Sequence, residues 1–172
     1  MPISEKTVNG FHFMPPSLSA WIGQTIPEQD FEGEIPWTPL KKPLSKTVFA
    51  LMTSAGINMK TDPDFDMARE KREPAWGDPS YRKIVISATA ASINVNHLHI
   101  NTTYIQQDIN VMLPLQRFQE LEEDDTIGAL APTAYSYYGY QTDPTVLLEE
   151  TLPQVIVDMK AEGVEAVFLT PA

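Results

Sequence analysis

The chain has 172 residues, which suits one domain with a single core, and 42% of them are hydrophobic. Its net charge of −11 argues against nucleic-acid or anionic-membrane binding, which depend on clustered Lys and Arg. Without the apolar core of a signal peptide or a bilayer-spanning apolar run, we expect a cytoplasmic protein. The lack of cysteine excludes disulfides, thiolate metal sites and a cysteine nucleophile within these residues.

Residues 1–46 are predicted to form an extended, proline-rich arm. They hold seven of the fifteen prolines, whose fixed φ angles and missing N–H donors disfavour long helices and central strands. Ser17–Gly23 is predicted to form one short helix capped by the serine. Because side chains such as Trp21 and Trp37 are too apolar to leave in water, we expect the arm to pack on the domain or on a partner.

Residues 47–172 are predicted to form one α/β domain that begins with a buried strand. The apolar run Thr47–Met52 is led by β-branched residues and ends in a hydroxyl-rich turn with a glycine. Small side chains in this turn permit close approach of a ligand, so Thr53 and Ser54 are candidate substrate-binding residues. An ordinary strand-to-loop turn is the alternative interpretation.

A long charged connection, residues 58–80, has the length of a functional loop. Asp78 lies before a proline near its end, and Arg82 can pair with a carboxylate of the protein or of a substrate. Asp78 and Arg82 are therefore further candidates for substrate binding. Lys83–Ile86 is predicted to form the next short strand.

Two histidines in the middle of the chain define the strongest candidate site. In residues 94–101, His97, His99 and Asn101 alternate with aliphatic residues, and alternate side chains of a strand point to opposite faces. Both imidazoles would then point the same way, with Asn101 as a further binding candidate. Asp108 precedes another apolar run, predicted to be a buried strand end that carries the carboxylate to the same neighbourhood. Each residue alone also fits a purely structural role.

The segment after this site is predicted to contain a helix and an aromatic loop. Pro114 is well placed as a first helical residue. The stretch Tyr135–Tyr140 is predicted to be a loop that walls a pocket or packs on the core. Tyr135 and Ser136 are its candidate substrate-binding residues.

The end of the chain indicates the fold class. A helix is predicted to start at Asp143–Pro144, to be kinked by Pro153 and to end at Gly163, where the apolar strand Val164–Leu169 begins. A helix feeding directly into a buried strand is typical of an α/β layered sandwich with a largely parallel sheet. Ligands of such folds bind at the carboxyl ends of the strands.

Six motifs, read together and in order, resemble one known family over about residues 36–172. The family is the selenoprotein B family of the glycine, sarcosine, betaine and D-proline reductases, and the motifs are Thr53-Ser-Ala-Gly-Ile57, Gly77-Asp-Pro-Ser-Tyr-Arg82, His97-Leu-His-Ile-Asn101, Asp108-Ile-Asn-Val with Leu113-Pro-Leu115, Ile127-Gly-Ala-Leu-Ala131 and Gly163-Val-Glu-Ala-Val-Phe-Leu-Thr-Pro171.

The resemblance implies reductive cleavage of a carbon–nitrogen bond in a small amine substrate, an amino acid or a betaine. It implies a selenocysteine or cysteine nucleophile, a pyruvoyl-bearing or related partner subunit and a thiol reductant. The family's nucleophile would follow Ala172, so we expect a C-terminally truncated chain, terminated at a selenocysteine codon, that is inactive alone. The alternative is a natural family member that has lost the redox segment. Within the chain, His99 is then the expected proton-transfer residue, Asp108 its orienting partner and His97 a catalytic neighbour.

Two other classes of function stay open. His97, His99 and Asp108 form a ligand set suited to zinc or iron, which would make the protein a metal-dependent enzyme. Alternatively, the apolar arm and the missing nucleophile fit a non-catalytic binding or assembly subunit, with a homo-oligomer possible. For the enzyme hypotheses we expect one cleft to gather eight residues: Thr53, Ser54, Asp78, Arg82, His97, His99, Asp108 and Tyr135.

Overall fold

The computed structural model describes residues 9–25 and 38–172. The chain divides into two compact units, Met1–Thr38 and Pro39–Ala172. In the first unit, a 3₁₀ helix at Gly10–Phe13 precedes helix α1 (Pro16–Thr25), which includes the predicted short helix. Residues 26–37 of the proline-rich arm lie outside the described residues. The packing of the arm on the domain or on a partner stays a prediction.

A five-stranded, largely parallel sheet forms the centre of the second unit. Strand β1 (Val48–Thr53) is parallel to β5 (Ala129–Leu130) and β6 (Thr133–Tyr137) on one side and to β7 (Ala166–Thr170) on the other. Strand β3 (Tyr81–Val85) pairs with β6 in the antiparallel direction. The predicted first strand is confirmed as β1, whose central position explains its continuous apolar sequence.

The sheet has a hydrophobic core on each face. Leu51 packs in the core that includes residues of helix α4 (Leu115–Glu123). Its neighbour Ala50 packs with Tyr135 in the other core, beneath helix α5 (Leu152–Ala161). Alternate residues of a strand point to opposite faces, so the two cores lie on the two sides of one sheet. The predicted α/β layered architecture is confirmed.

A smaller sheet lies beside the carboxyl end of β1. Strands β2 (Ile57–Met59) and β4 (Ile93–Val95) pair in the antiparallel direction. Helix α2 (Met67–Arg72) lies in the connection between β2 and β3, and helix α3 (Thr103–Gln107) follows β4. Because β2 begins soon after β1 ends, this sheet and its loops are held next to the edge where α/β folds bind ligands.

The strand predicted through the two histidines is wrong. Strand β4 ends at Val95, and the segment that holds His97 and His99 continues as bends and turns. The side chain of Asn101 accepts a hydrogen bond from the backbone N–H of Thr103 at 3.1 Å. Local bonds of this kind compete with a strand ladder, which explains why the alternating pattern did not produce a strand.

Two further predictions of strand and loop are also wrong. The apolar run after Asp108 forms a 3₁₀ helix at Ile109–Val111, since the Asp108 carboxylate caps it by accepting from the Asn110 N–H at 2.9 Å. The stretch predicted as an aromatic loop forms strand β6 as far as Tyr137. Aromatic side chains fit a pleated, half-buried surface, and this preference for strands explains why the tyrosine-rich stretch pairs in the sheet.

The last helix begins with an irregular turn instead of a kink at Pro153. Pro153 lies in the first turn of α5, directly after a helical turn of different geometry. The turn before it, Leu147–Thr151, is π-helical, and the N–H of Leu152 bonds to the carbonyl of Leu147. Gly163 follows α5 with a φ of 75°, the left-handed conformation expected at a helix end.

The helices of the described ranges are short. Helices α1 and α5 have ten residues each, about half of what a bilayer-spanning helix needs. Among the described residues, no helix combines the length and the hydropathy required to cross a membrane.

Candidate active site

The ends of the parallel strands are tied together by hydrogen bonds around Ser54. The carbonyl of Ser54 accepts from the Gly139 N–H at 2.9 Å, which joins the segment after β1 to the segment after β6. The Ser54 hydroxyl oxygen accepts from the Ala172 N–H at 2.7 Å, and the Thr53 hydroxyl donates to the Thr170 carbonyl at 3.2 Å. Thr53 and Ser54 therefore lie at the predicted edge of the sheet, and both are buried.

Next to this edge, four rings form a contact cluster. The His97 ring lies 4.7 Å from the Tyr138 ring, and the His99 ring lies 4.2 Å from the Tyr140 ring, measured between centroids. The two imidazoles meet edge to face at 6.0 Å. The loop after β4 and the segment after β6 thus bring both histidines together, although they do not share a strand.

His97 is held as a neutral acceptor. Its Nδ1 accepts a hydrogen bond from the backbone N–H of His99 at 3.1 Å. The pKa of His97 is lowered to about 4, mainly by burial and secondly by the proximity of His99, while Glu70 opposes the shift. At neutral pH the His97 ring is therefore uncharged and orients the next residues of the loop.

His99 pairs with a buried carboxylate that the sequence analysis missed. Its Nε2 lies 2.7 Å from Oε1 of Glu70; the His99 side chain is 48% exposed, whereas that of Glu70 is 2% exposed. An exposed imidazole with its ring held by a buried carboxylate can exchange a proton with a bound molecule. Glu70 belongs to the highly charged stretch Met67–Arg72, and nothing in that pattern distinguishes it from its solvated neighbours.

Glu70 and Tyr138 leave two polar atoms without a hydrogen-bond partner among the described residues. These are the buried Glu70 Oε2 and the buried Tyr138 hydroxyl. Burial raises the pKa of Tyr138, and the neighbouring Glu70 carboxylate raises it further. The phenol thus stays protonated and can act as a hydrogen-bond donor at the buried end of the cluster.

Asp108 is not the orienting partner of His99, and this prediction is corrected. Its carboxylate accepts from the backbone N–H and the side-chain amide of Asn110, at 2.9 and 2.8 Å. These bonds lower the pKa of Asp108 and commit the side chain to capping a 3₁₀ helix. Asn101 has a similar local role at the start of α3, where it accepts from Thr103.

Asp78 and Arg82 fix the long connection that carries Glu70. The buried Asp78 accepts from the backbone N–H of Asp66 at 2.8 Å, and Asp66 is the N-cap of α2. The Arg82 guanidinium donates to the carbonyls of Pro63 and Asp64, at 2.8 and 3.1 Å. Both side chains thereby use their hydrogen-bonding groups within the protein, where they hold the connection between β2 and β3 in place.

The predicted single cleft of eight residues does not form, because Tyr135 lies on the α5 side of the sheet, opposite to the side that its neighbour Ser136 faces. The Ser136 hydroxyl oxygen accepts from the Ile57 N–H at 2.8 Å on the side of the small sheet. Tyr135 is buried in the core beneath α5, where burial raises the pKa of its phenol. Of the eight residues expected to converge, His97 and His99 lie in the ring cluster, with Thr53 and Ser54 at the adjacent strand end.

The three residues considered as metal ligands do not gather. Asp108 is bound to Asn110, and the Nε2 of His99 is taken by Glu70. Within the ranges that the structure describes, no group of three or more His, Cys, Asp or Glu side chains could hold a metal ion. The zinc or iron hypothesis therefore has no preformed ligand set among these residues.

Comparison with known proteins identifies relatives. The family model described as glycine/sarcosine/betaine reductase selenoprotein B matches residues 25–172. The D-proline reductase subunit gamma of Acetoanaerobium sticklandii is 36% identical over 78% of this chain and 52% of its own length. The glycine reductase complex component B subunits gamma of Carboxydothermus hydrogenoformans and Symbiobacterium thermophilum are 32% and 30% identical, each over 79% of this chain.

The chain spans about half the length of the first of these relatives, and 30% and 31% of the other two. No solved structure matches the chain. The family model covers the whole second unit, including the sheet, Glu70 and the loop after β4 that holds His97 and His99, here called the histidine loop. The chain belongs to the selenoprotein B family of the glycine, sarcosine and betaine reductases.

Proposed function

We propose that this chain is a subunit of a reductase that cleaves a carbon–nitrogen bond of an amino acid or a betaine. The single observation that carries a catalytic role is the Glu70–His99 pair at the carboxyl edge of the sheet. Membership of the family supplies the reaction class, since its named relatives are subunits of D-proline and glycine reductases. Glu70 takes the orienting role that we first assigned to Asp108.

In the proposed step, a thiolate or selenolate attacks the carbon that bears the amine. A carbon–chalcogen bond forms while the C–N bond breaks, and its electron pair goes to nitrogen. Protonated His99 supplies the proton that the departing amine takes up, and the Glu70 carboxylate stabilises the charged imidazole before the transfer. A thiol reductant then delivers the two electrons, becoming a disulfide as the carbon–chalcogen bond is cleaved and the carbon gains a hydrogen.

The nucleophile must come from outside these 172 residues, because they include no cysteine. Serine cannot replace it: the Ser54 hydroxyl does not cycle through a disulfide-like state, so it cannot accept electrons from a thiol. We therefore propose that a selenocysteine or cysteine follows in a longer form of the protein, or that another subunit supplies it. A pyruvoyl-bearing subunit is the proposed partner.

The test compares three proteins in the presence of the partner subunit and a dithiol. They are this chain, a longer form with cysteine in the segment after Ala172, and the longer form with that cysteine replaced by serine. Release of amine or ammonia from glycine, sarcosine, betaine and D-proline is measured. We expect turnover only from the cysteine-containing form. Equal release by all three would overturn the covalent mechanism.

A further variant separates catalysis from assembly. His99→Gln in the longer form removes the transferable proton while keeping a polar side chain. We expect assembly with the partner to be unchanged and turnover to fall by roughly a hundredfold or more. If turnover persisted at the full rate, His99 would have no catalytic role, and a binding or assembly function would be favoured.

A further inference from the structure

A second candidate site lies beside the small sheet, and its lining includes neither Glu70 nor His99. A cavity of about 530 Å³ opens there, and its polar lining includes Lys60, Asp64, Asn94, Asn96 and Gln106. This volume is in the range of small-molecule sites in proteins. Asp64 lies in the connection predicted to be a functional loop, residues 58–80, but none of the individual candidate residues lines this cavity.

The Asp64 carboxylate is held in one orientation by three amides. Its Oδ1 accepts from Nδ2 of Asn58 and of Asn94, each at 3.1 Å, and from Nδ2 of Asn96 at 3.4 Å. Asn58 is fully buried and lies directly opposite Asn94 in the β2–β4 pairing. The three donors anchor Oδ1, whereas Asp64 Oδ2 has no hydrogen bond to the described residues and is open to solvent, because Asp64 is exposed.

The backbone around Asp64 is also fixed. The Asn58 amide donates to the carbonyls of Met59 and Asp62, and the Arg82 guanidinium donates to the carbonyl of Asp64 itself. Arg82 additionally lies over the Phe65 ring at 4.3 Å. A group whose geometry is set before binding loses little entropy when it binds, which is the arrangement that recognition sites use.

The chemical groups that line the cavity indicate which class of ligand it binds. A carboxylate oxygen that is free to accept, next to several amide groups, favours a cation with N–H donors. A metal ion is disfavoured, because Asp64 has no second carboxylate or histidine to complete a ligand set among the described residues. Lys60 donates to the Ala91 carbonyl at 2.7 Å and keeps a positive charge at the rim, where an anionic tail of the ligand is tolerated.

We propose that this cavity binds a small molecule with a protonated primary or secondary amine, and that Asp64 Oδ2 accepts from the ammonium group. This proposal concerns ligand binding alone, and it holds whether or not the chain takes part in the proposed reductase reaction. Asn96 connects it to the ring cluster, since its side chain lines the cavity and the next residue is His97.

The test is a binding experiment on the chain with ethylammonium and pyrrolidinium as probes. Tetramethylammonium, a cation without N–H donors, and acetate, an anion, serve as matched ligands. Side-chain amide resonances of Asn58, Asn94 and Asn96 are followed by ¹H–¹⁵N NMR. We expect saturable shifts of these amides with the two N–H cations and none with the other probes. No saturable shift with either N–H cation, or equal shifts with tetramethylammonium, would overturn the proposal.

Two variants add a second measurement. Asp64→Asn removes the charge at nearly constant shape and should weaken Kd about tenfold or more, as expected for loss of a charge-assisted bond. Asp62→Asn, in the same loop, should leave Kd unchanged. Unchanged binding by a folded Asp64→Asn variant would contradict the assignment. If the Asp64→Asn variant failed to fold, the chemical-shift changes measured with the unaltered protein would still test the proposal.

Discussion

At the level of single residues, the environment of Glu70 determines what His99 can do. Glu70 is 3% exposed, and a buried carboxylate is costly unless a partner compensates its charge. The imidazole of His99 is that partner, at 2.7 Å. The pair therefore fixes the orientation of an imidazole that is 48% exposed, so the ring can reach a bound molecule as the proposed proton donor must.

Replacing Glu70 by glutamine should lower turnover without removing the fold. Glu70→Gln keeps the shape and one acceptor atom but removes the charge that faces protonated His99. In the complete reductase we expect kcat to fall roughly tenfold to a hundredfold with little change in KM. The ¹⁵N resonances of the His99 ring should report the lost pairing.

Glu73→Gln is the matched control for this variant. Glu73 follows α2, is largely exposed and pairs with Arg69 at 3.0 Å. Its replacement should leave both kcat and the His99 ring resonances unchanged. Indistinguishable kinetics of the two variants would show that Glu70 does not position His99.

His97 makes the stability of the protein depend on pH. Its pKa is about 4 in the folded chain, mainly because of burial, whereas an unfolded histidine titrates near 6.5. Between these values the unfolded chain binds more protons, so stability falls as the pH is lowered from 6.5 towards 4. Above pH 6.5 the contribution of the neutral ring is fully present.

His97→Gln should reduce this pH dependence. The unaltered protein should lose unfolding free energy as the pH falls from about 7 to about 4.5. In the variant we expect this loss to be smaller by on the order of 1–2 kcal/mol, a value that allows for the partial exposure of the His97 ring. Urea unfolding at both pH values measures it, with His12→Gln as a control outside the cluster. The same pH dependence in all three proteins would refute a neutral, half-buried His97.

At the level of elements, the turn after β1 sets the position of the histidine loop. Gly56 has a φ of 64°, and its carbonyl accepts from the Asn96 N–H at 2.8 Å. A Cβ added at Gly56 would collide with the Asn96 carbonyl and come within 3.2 Å of the Tyr138 ring. The glycine therefore allows the loop and the segment after β6 to meet.

Gly56→Ala and Gly163→Ala form a matched pair that tests this role. Both glycines have a positive φ, but a Cβ at Gly163 meets nothing within 4 Å. We expect Gly163→Ala to cost about 1 kcal/mol of strain, and Gly56→Ala to cost at least about 2 kcal/mol more. Thermal and urea unfolding give the comparison, and equal costs would show that the close approach at Gly56 is unimportant.

At the level of the whole molecule, the two cores meet at β1, and the sheet becomes more exposed towards β7. Leu51 in β1 is 1% exposed, whereas Leu169 in β7 is 64% exposed. Strand β7 pairs with β1 along its full length. The hydrophobic stabilisation of the second unit should therefore be concentrated at the centre of the sheet.

Two leucine-to-alanine substitutions measure this distribution. Leu51→Ala leaves a cavity between the sheet and α4 and should cost about 2–5 kcal/mol of unfolding free energy. Leu169→Ala should cost less than about 1 kcal/mol, because its side chain is already in contact with water. A loss at Leu169 as large as that at Leu51 would mean that this edge is covered in solution, and a concentration-dependent stability would then indicate a second copy of the chain.

The sequence by itself determined the fold class, the central strand and the helix-to-strand passage at Gly163. These features depend on apolar runs and turn residues that lie close together in the chain. It also placed His97 and His99 near the carboxyl edge of the sheet. The six ordered motifs further identified the family, which the comparisons confirm.

Only the tertiary structure decided which carboxylate faces His99. Glu70 lies 29 positions away on a charged helix, while the nearer Asp108 is engaged by Asn110. The same holds for Asp64, whose three amides come from two strands of the small sheet and the loop after them. Such pairings depend on how distant loops pack and on local hydrogen bonds that compete for each side chain, and neither leaves a periodic pattern in the sequence.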